Sequence, residues 1–244
     1  MATRQRIDLL LVDRGLFDSR ARAQAAIAAG RVTVDGRVVA KPSEAVDEDA
    51  VITAEAAHPW VGRGGLKLDH ALTLWPVPVE GRVALDVGAS TGGFTQVCLS
   101  RGAARVYAVD VGRDQLHGAL AGDPRVVELS GTDARPLDAA LIPQPPDLIV
   151  TDVSFISLAK ALPAALALAG PGADLVALVK PQFEAGRDRV GKGGIVKDEA
   201  VRRETLDAIA AWLEGQGWTV RETADSPITG GDGNAEFLLW ARKR

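Results

Sequence analysis

Val83-Ala84-Leu85-Asp86-Val87-Gly88-Ala89-Ser90-Thr91-Gly92-Gly93-Phe94 decides the fold of this chain. An apolar run leads into a glycine-rich turn, and a second apolar run, Phe94 to Leu99, has the character of a helix. Strand, glycine turn and helix in that order open a nucleotide-binding α/β domain. Glycines let backbone approach a ligand where a Cβ would block it. The spacing is not the dinucleotide fingerprint G-x-G-x-x-G, and no Gly-Lys-Ser/Thr closes it as in a phosphate-binding P-loop. Asp110 ends the next apolar run, Val106 to Val109, where an acid can hold a ribose diol. The expectation is an adenosine-type cofactor without a pyrophosphate, such as S-adenosylmethionine; the alternative is an ordinary tight turn between strand and helix.

Outward from this stretch the pattern alternates. Strands are predicted near 83–87, 105–110, 125–129, 147–152, 174–179, 218–223 and 236–241, and helices near 93–101, 114–121, 158–168 and 199–215. This is an α/β fold, a doubly wound Rossmann-like sheet. The last strand follows its neighbour by a loop and not a helix, which predicts an antiparallel final hairpin. The first 56 residues differ. A short helix ends at Gly15, Ser19 caps a second helix, and Val32 to Val39 form a hairpin about Asp35-Gly36, a pair suited to a type I′ turn. Val51 to Thr53 add a last short strand. The expected organisation is a small α+β domain at 1–57, a linker at 58–62 and the large domain at 63–244.

Composition sets bounds on function. The chain has 244 residues, 47% hydrophobic and 25% charged, enough for a substantial core. Its one cysteine, Cys98, excludes an internal disulfide, and three histidines without ligand spacing argue against a metal site. No signal peptide or membrane span is expected, and a cytoplasmic setting fits. The net charge of −4 hides a gradient: residues 1–41 carry eight basic against four acidic residues. A basic module on an acidic chain is a local footprint for a phosphate backbone, with Arg4, Arg6, Arg20, Arg22, Arg31 and Lys41 as contacts; the alternative is a cap domain with solvated arginines.

In open α/β sheets the ligand lies beyond the carboxyl ends of the strands. Asp152 ends the run Leu148 to Thr151, Lys180 ends Leu175 to Val179, and Asp133 follows the third strand. A lysine closing a fully apolar strand must be paired or reactive. Lys67, on the helix leading into the sheet, and Glu236, opening the last strand, are further candidates. Taken alone, Lys67 reads as a surface helix lysine and Glu236 as a strand-edge carboxylate, and spacing does not assemble the four.

Ser19-Arg20, Gly62 to Leu68, Asp86 to Thr95, Thr151-Asp152-Val153-Ser154-Phe155-Ile156-Ser157-Leu158, Leu178 to Glu184 and Gly233-Asn234-Ala235-Glu236-Phe237 together resemble the TlyA (hemolysin A-like) ribosomal RNA methyltransferases, in order and over nearly the whole chain. The resemblance implies an N-terminal RNA-binding domain of the ribosomal-protein S4 type and an FtsJ-like methyltransferase domain. Its catalytic tetrad would be Lys67, Asp152, Lys180 and Glu236. The activity implied is 2′-O-methylation of a cytidine in ribosomal RNA, with S-adenosylmethionine as cofactor, no metal, and ribosomal RNA or subunits as partners. Lys180 would activate the hydroxyl, and Asp152 and Glu236 would position the lysines. The turn Gly88, Ala89, Ser90, Thr91, Gly92 and Gly93 would cradle the methionine part, flanked by Asp86 and Phe94. Asp110 and Val111 would meet the ribose, Asp133 and Ala134 the adenine, and Asp152 would border both cofactor and substrate. The sequence departs from the family pattern at Gly131-Thr132-Asp133-Ala134-Arg135, where members carry Arg-Thr-Asn-Ala-Arg, and at Val111-Gly112-Arg113-Asp114-Gln115, where they carry Val-Gly-Tyr-Gly-Gln. Ending at Arg244, it resembles the shorter members, so the large subunit is the first expected substrate and the small subunit the second. Three rival readings are a non-catalytic RNA-binding factor, a membrane-active hemolysin and an NAD(P)-dependent reductase.

Overall fold

A computed structural model describes residues 3–244. The chain divides into two compact units, one up to Pro59 and the other from Trp60.

The first unit contains β1 (Arg4–Arg6), α1 (Ile7–Asp13), α2 (Arg20–Ala28), β2 (Val32–Val34), β3 (Arg37–Val38), β4 (Ala45–Asp47) and β5 (Ile52–Ala54). Ser19 caps α2 by accepting from the Arg22 backbone N–H. Asp35 and Gly36 both have positive φ, 49° and 79°, the requirement of a type I′ turn between β2 and β3. β5 pairs with the other edge of β2, while β1 and β4 form a separate two-stranded ribbon that period-based reading did not anticipate. Three-residue strands are too short to show a period. Ile7, Leu11, Ala23, Ile27 and Val32 close the core of this unit.

The second unit contains α3 (Gly64–Leu74), β6 (Val83–Val87), α4 (Gly93–Ser100), β7 (Arg105–Asp110), α5 (Gly118–Ala121), β8 (Val126–Ser130), β9 (Leu148–Thr151), α6 (Leu158–Ala161), α7 (Pro163–Leu168), β10 (Asp174–Val179), α8 (Pro181–Glu184), α9 (Glu199–Gly215), β11 (Trp218–Asp225) and β12 (Phe237–Lys243). Its seven strands are ordered β11-β12-β10-β9-β6-β7-β8, parallel except for β12, which runs antiparallel to both β10 and β11. Successive residues of each strand feed opposite cores. Leu85, Val109, Ile149 and Leu175 pack toward α6, α7 and α9, whereas Ala84, Val106, Val150 and Val176 pack toward α3 and α4. Trp60 belongs to the second core, and its ring lies directly against Gly65. The single helix predicted over 158–168 is two, α6 and α7. Pro163 lacks the N–H that would continue the first, and it starts the second instead. Likewise only Gly118–Ala121 of the predicted 114–121 is helical, since Asp114 has a φ of 53° and leaves the helical region.

Candidate active site

Strand order reverses at β6, so the crevice beyond its carboxyl end is the expected ligand position. The turn after β6 is built to be entered by backbone. Gly88 has a φ of 86°, and a Cβ there would come within 3.0–3.1 Å of Val153. Gly92, at φ 94°, is the N-cap of α4 and is covered by Leu116 and Leu120. Ser90 holds φ 47°, a conformation secured by its N–H donating to Asp110 Oδ2 at 2.8 Å. Asp110 Oδ1 accepts from Gly112 N at 2.7 Å, so the acid that ends β7 ties two turns together and still faces the cavity.

That cavity has a volume of about 420 Å³ and runs past Gly88, Asp110, Asp133, Ala134, Asp152 and Phe155. A smaller, more polar cavity of about 200 Å³ lies beside it, lined by Gly62, Arg63, Ala89, Thr91, Gly93 and Lys180. Gly88, Ser90, Asp152 and Ser154 border both. Val111 lines the first and Phe94 the second. Two residues expected at the cofactor, Asp86 and Gly92, line neither cavity. Asp86 is fully buried beneath the turn, where Oδ2 accepts from Thr95 Oγ1 at 2.7 Å and Oδ1 meets no donor. Burial pushes its carboxyl up to about 7, against the opposing hydrogen bond from Thr95 and with added repulsion from Asp152 and Asp110. Asp133 is engaged by Arg135 through several N–H···O contacts of 2.5–3.0 Å, which hold its carboxyl down to about 2.

Behind Asp152, which borders both cavities, and Lys180, which lines the smaller one, the chain brings in Lys67 and Glu236, which line neither. Lys67 Nζ lies 2.6 Å from Glu236 Oε2 and 3.7 Å from Asp152 Oδ2. Lys180 Nζ lies 2.6 Å from Asp152 Oδ1. Charges therefore alternate along Glu236, Lys67, Asp152 and Lys180, and the two lysines and Glu236 are buried. Alternation is what lets four ionisable groups share so little water. Lys180 also donates to Ser154 Oγ at 2.8 Å and to the Asp152 carbonyl at 3.2 Å. Topology explains the meeting. Asp152 and Lys180 follow parallel neighbours β9 and β10. β12 is antiparallel to β10 with Phe237 opposite Val179, so Glu236, just before β12, stands level with Lys180. Lys67 arrives from the first turns of α3.

Ser154, Phe155 and Arg63 are residues the sequence reading did not single out. Phe155 is 89% exposed at a φ of 65°, with its ring centroid 5.2 Å from that of Phe183. A β-carbon-bearing residue in that conformation is strained and is a common mark of a functional turn. Glu184 braces this turn by accepting the Leu158 N–H at 2.9 Å. Arg63, exposed at the rim of the polar cavity, makes no ion pair among the described residues.

In the first unit Arg6 and Arg20 converge on Asp8, each with Nη2 3.0 Å from its Oδ2. Asp8 is fully buried and also receives Gln24; the Arg6 hydrogen bonds above all hold its carboxyl well below the usual range. Arg4 pairs with Asp47, Arg22 with Asp18 and Arg31 with Glu55. Lys41 is exposed. Among the described residues no helix is long and apolar enough to cross a membrane, and no group of three or more His, Cys, Asp or Glu side chains could hold a metal ion.

The fold and its crevice define a class: a Rossmann-like methyltransferase joined to an S4 domain. The profile of the FtsJ-like methyltransferases matches residues 60–243, and that of the S4 domain matches residues 5–52. The chain is 47% identical to the 16S/23S rRNA (cytidine-2′-O)-methyltransferase TlyA of Mycobacterium tuberculosis, over 99% of this chain and 91% of that protein. It superimposes with a TM-score of 0.78 and 39% identity on a solved structure from Streptococcus thermophilus that carries a provisional hemolysin name, covering 100% of this chain and 90% of the other. An S-adenosylmethionine-dependent methyltransferase from Mesorhizobium loti shares the fold at 15% identity and a TM-score of 0.53, over 73% of this chain and 98% of its own. The chain belongs to the FtsJ-like methyltransferase family, in its TlyA branch.

Proposed function

We propose that this protein transfers a methyl group from S-adenosylmethionine to the 2′-hydroxyl of a cytidine in ribosomal RNA. The observation that carries the reading is the alternating Glu236–Lys67–Asp152–Lys180 chain, which meets an apolar and a polar cavity at Asp152 and the polar one also at Lys180.

The residues present fit the cofactor. The larger cavity has the apolar walls Val87, Val109 and Ile156, with the Asp110 carboxylate at its rim to receive ribose hydroxyls. The smaller cavity is bordered by the N-terminal turn of α4, where backbone N–H groups and the helix dipole favour a carboxylate. Bound there, S-adenosylmethionine supplies an electrophilic methyl group on a sulfonium. Asp133 and Ala134 would border the base of the cofactor, Asp133 keeping acceptor capacity beyond its contacts with Arg135.

A ribose hydroxyl is a weak nucleophile at neutral pH. Of the three acceptors around Lys180, Ser154 Oγ is the uncharged side chain, so an incoming hydroxyl takes its place against Nζ. Lys180 Nζ would receive the hydroxyl proton as that oxygen displaces the methyl group from the sulfonium, and Asp152, 2.6 Å away, would stabilise the charge left on the lysine. Glu236 fixes Lys67, and Lys67 fixes the far oxygen of Asp152. Such a brace limits wander at the reacting centre, where misplacement by about 1 Å can cost on the order of 100-fold in rate. The exposed Phe155 and its neighbour Phe183 offer a π face for the unstacked base beside the tetrad. Arg4, Arg6, Arg20, Arg22, Arg31 and Lys41 would bind phosphates and set position without reading sequence.

The test is transfer of labelled methyl from S-adenosylmethionine to purified subunits and naked ribosomal RNA, with Lys180→Ala beside wild type. Label in RNA from wild type alone supports the reading, and nuclease mapping locates the nucleotide. Equal labelling by Lys180→Ala refutes the tetrad, and labelling of a base instead of a ribose refutes the reaction.

A further inference from the structure

Asn234 is buried at 2% exposure, two residues before Glu236, and every polar atom of its side chain is used. Its Oδ1 accepts from Val196 N at 3.1 Å and its Nδ2 donates to Gly194 O at 2.9 Å. The amide can face only one way, because a backbone N–H lies on one side and a carbonyl on the other. Gly194, at φ 77°, aims that carbonyl inward. The main-chain oxygen of Asn234 accepts from Gly230 N at 2.9 Å. Gly230 in turn walls the tetrad: a Cβ there would sit 2.6 Å from Glu236 Oε1. Glu236 is thus held between Lys67 on Oε2 and the Gly230 backbone beside Oε1. The other end of the clamp is an exposed glycine-rich loop, 186–197, carrying Arg187, Lys192 and Lys197.

We propose that Asn234 is a positioning residue for the methyl-transfer site: its side chain fastens the turn that walls Glu236 to the 191–196 loop, and so sets the carboxylate that holds Lys67. This rests on the tetrad reading above. The amide does not touch cofactor, substrate or the reacting atoms, so its effect must pass through Glu236. Without it, the Gly230 turn keeps its backbone bonds, including Ser226 N to Glu236 O at 2.9 Å, but loses its side-chain link to the 191–196 loop.

The experiment is a double-mutant cycle between Asn234→Ala and Glu236→Gln, read by single-turnover methyl transfer with enzyme in excess. Asn234→Ala alone is expected to lower the rate by about 10- to 100-fold while KM for RNA and Kd for S-adenosylmethionine stay within about 2-fold. On the Glu236→Gln background the same substitution is expected to cost less than about 2-fold, because the group it positions is already gone. An equal loss on both backgrounds, or a loss confined to KM or Kd, overturns the inference and leaves the tetrad standing. A Glu236→Gln protein with the wild-type rate overturns the tetrad itself and the inference with it. A second readout covers a background too slow to time and a fold lost in Asn234→Ala. In Asn234→Asp, which keeps the shape but sets an oxygen against Gly194 O, the ¹H–¹⁵N signal of the Lys67 ammonium should move toward its position in Glu236→Gln. An unmoved Lys67 signal overturns the proposal.

Discussion

Asp86 should make the catalytic unit lose stability as pH rises through the neutral range. The group is fully buried, one carboxyl oxygen meets no donor, and its carboxyl is raised to about 7 from 3.8. In the unfolded chain it ionises near pH 4. Between those values the folded protein binds a proton that the unfolded chain does not, so unfolding free energy falls with pH, by about 1.4 kcal/mol per unit for one group. From pH 5 to 8 the folded form gives up this advantage until about pH 7, which is on the order of 3 kcal/mol. Above pH 7 the contribution is flat. The perturbation is Asp86→Asn, which cannot titrate. Burying its amide beside no acceptor costs about 1–3 kcal/mol at every pH, so slopes and not absolute stabilities are compared. All five tryptophans lie beyond Pro59, so tryptophan fluorescence in urea reports the catalytic unit alone. Wild type should lose about 3 kcal/mol more than Asp86→Asn between pH 5 and 8. Thr95→Val, which removes the hydrogen bond opposing the shift, should extend the sloping region to higher pH. Parallel pH profiles for wild type and Asp86→Asn would mean that Asp86 is ionised throughout and that the desolvation argument fails.

Three further outcomes are expected. Gly92→Ala puts a Cβ into the Leu116 and Leu120 side chains at a φ of 94°, so it should destabilise the catalytic unit by about 1–3 kcal/mol in urea melts and weaken S-adenosylmethionine binding in calorimetry. Phe155→Ala removes an aromatic face that is 89% exposed, so it should leave cofactor affinity unchanged and raise KM for RNA by a factor equivalent to about 1–3 kcal/mol. Asp8→Asn releases Arg6 and Arg20 from a common buried anchor and should weaken RNA binding, as read by fluorescence anisotropy across a salt series. The Asp8 carboxyl is lowered in the folded state. Its contribution is therefore present above about pH 4 and lost as pH falls below that, and the variant should show a shallower acid transition of the first unit by circular dichroism.

What the sequence determined by itself is local. The strand before Gly88, the glycine turn, the type I′ turn at Asp35-Gly36, the Ser19 cap and the long α9 all follow from dihedral and hydrogen-bonding preferences acting over a few residues. The two buried faces of the sheet were legible as unbroken apolar runs, and a lysine closing such a run was legible as a group in need of a partner. The motif order also carried the family. Which side chains meet was decided by tertiary structure. Lys67 and Glu236 are 169 residues apart and touch only because β12 inserts antiparallel beside β10, a pairing chosen by burial across the whole sheet. Asp86 shares a stretch with the cofactor turn but points beneath it, since alternate strand residues face opposite ways. Ser154 beside Lys180, and Asn234 reaching across to Val196, lie in irregular loops, where no period in the sequence records what the backbone brings together.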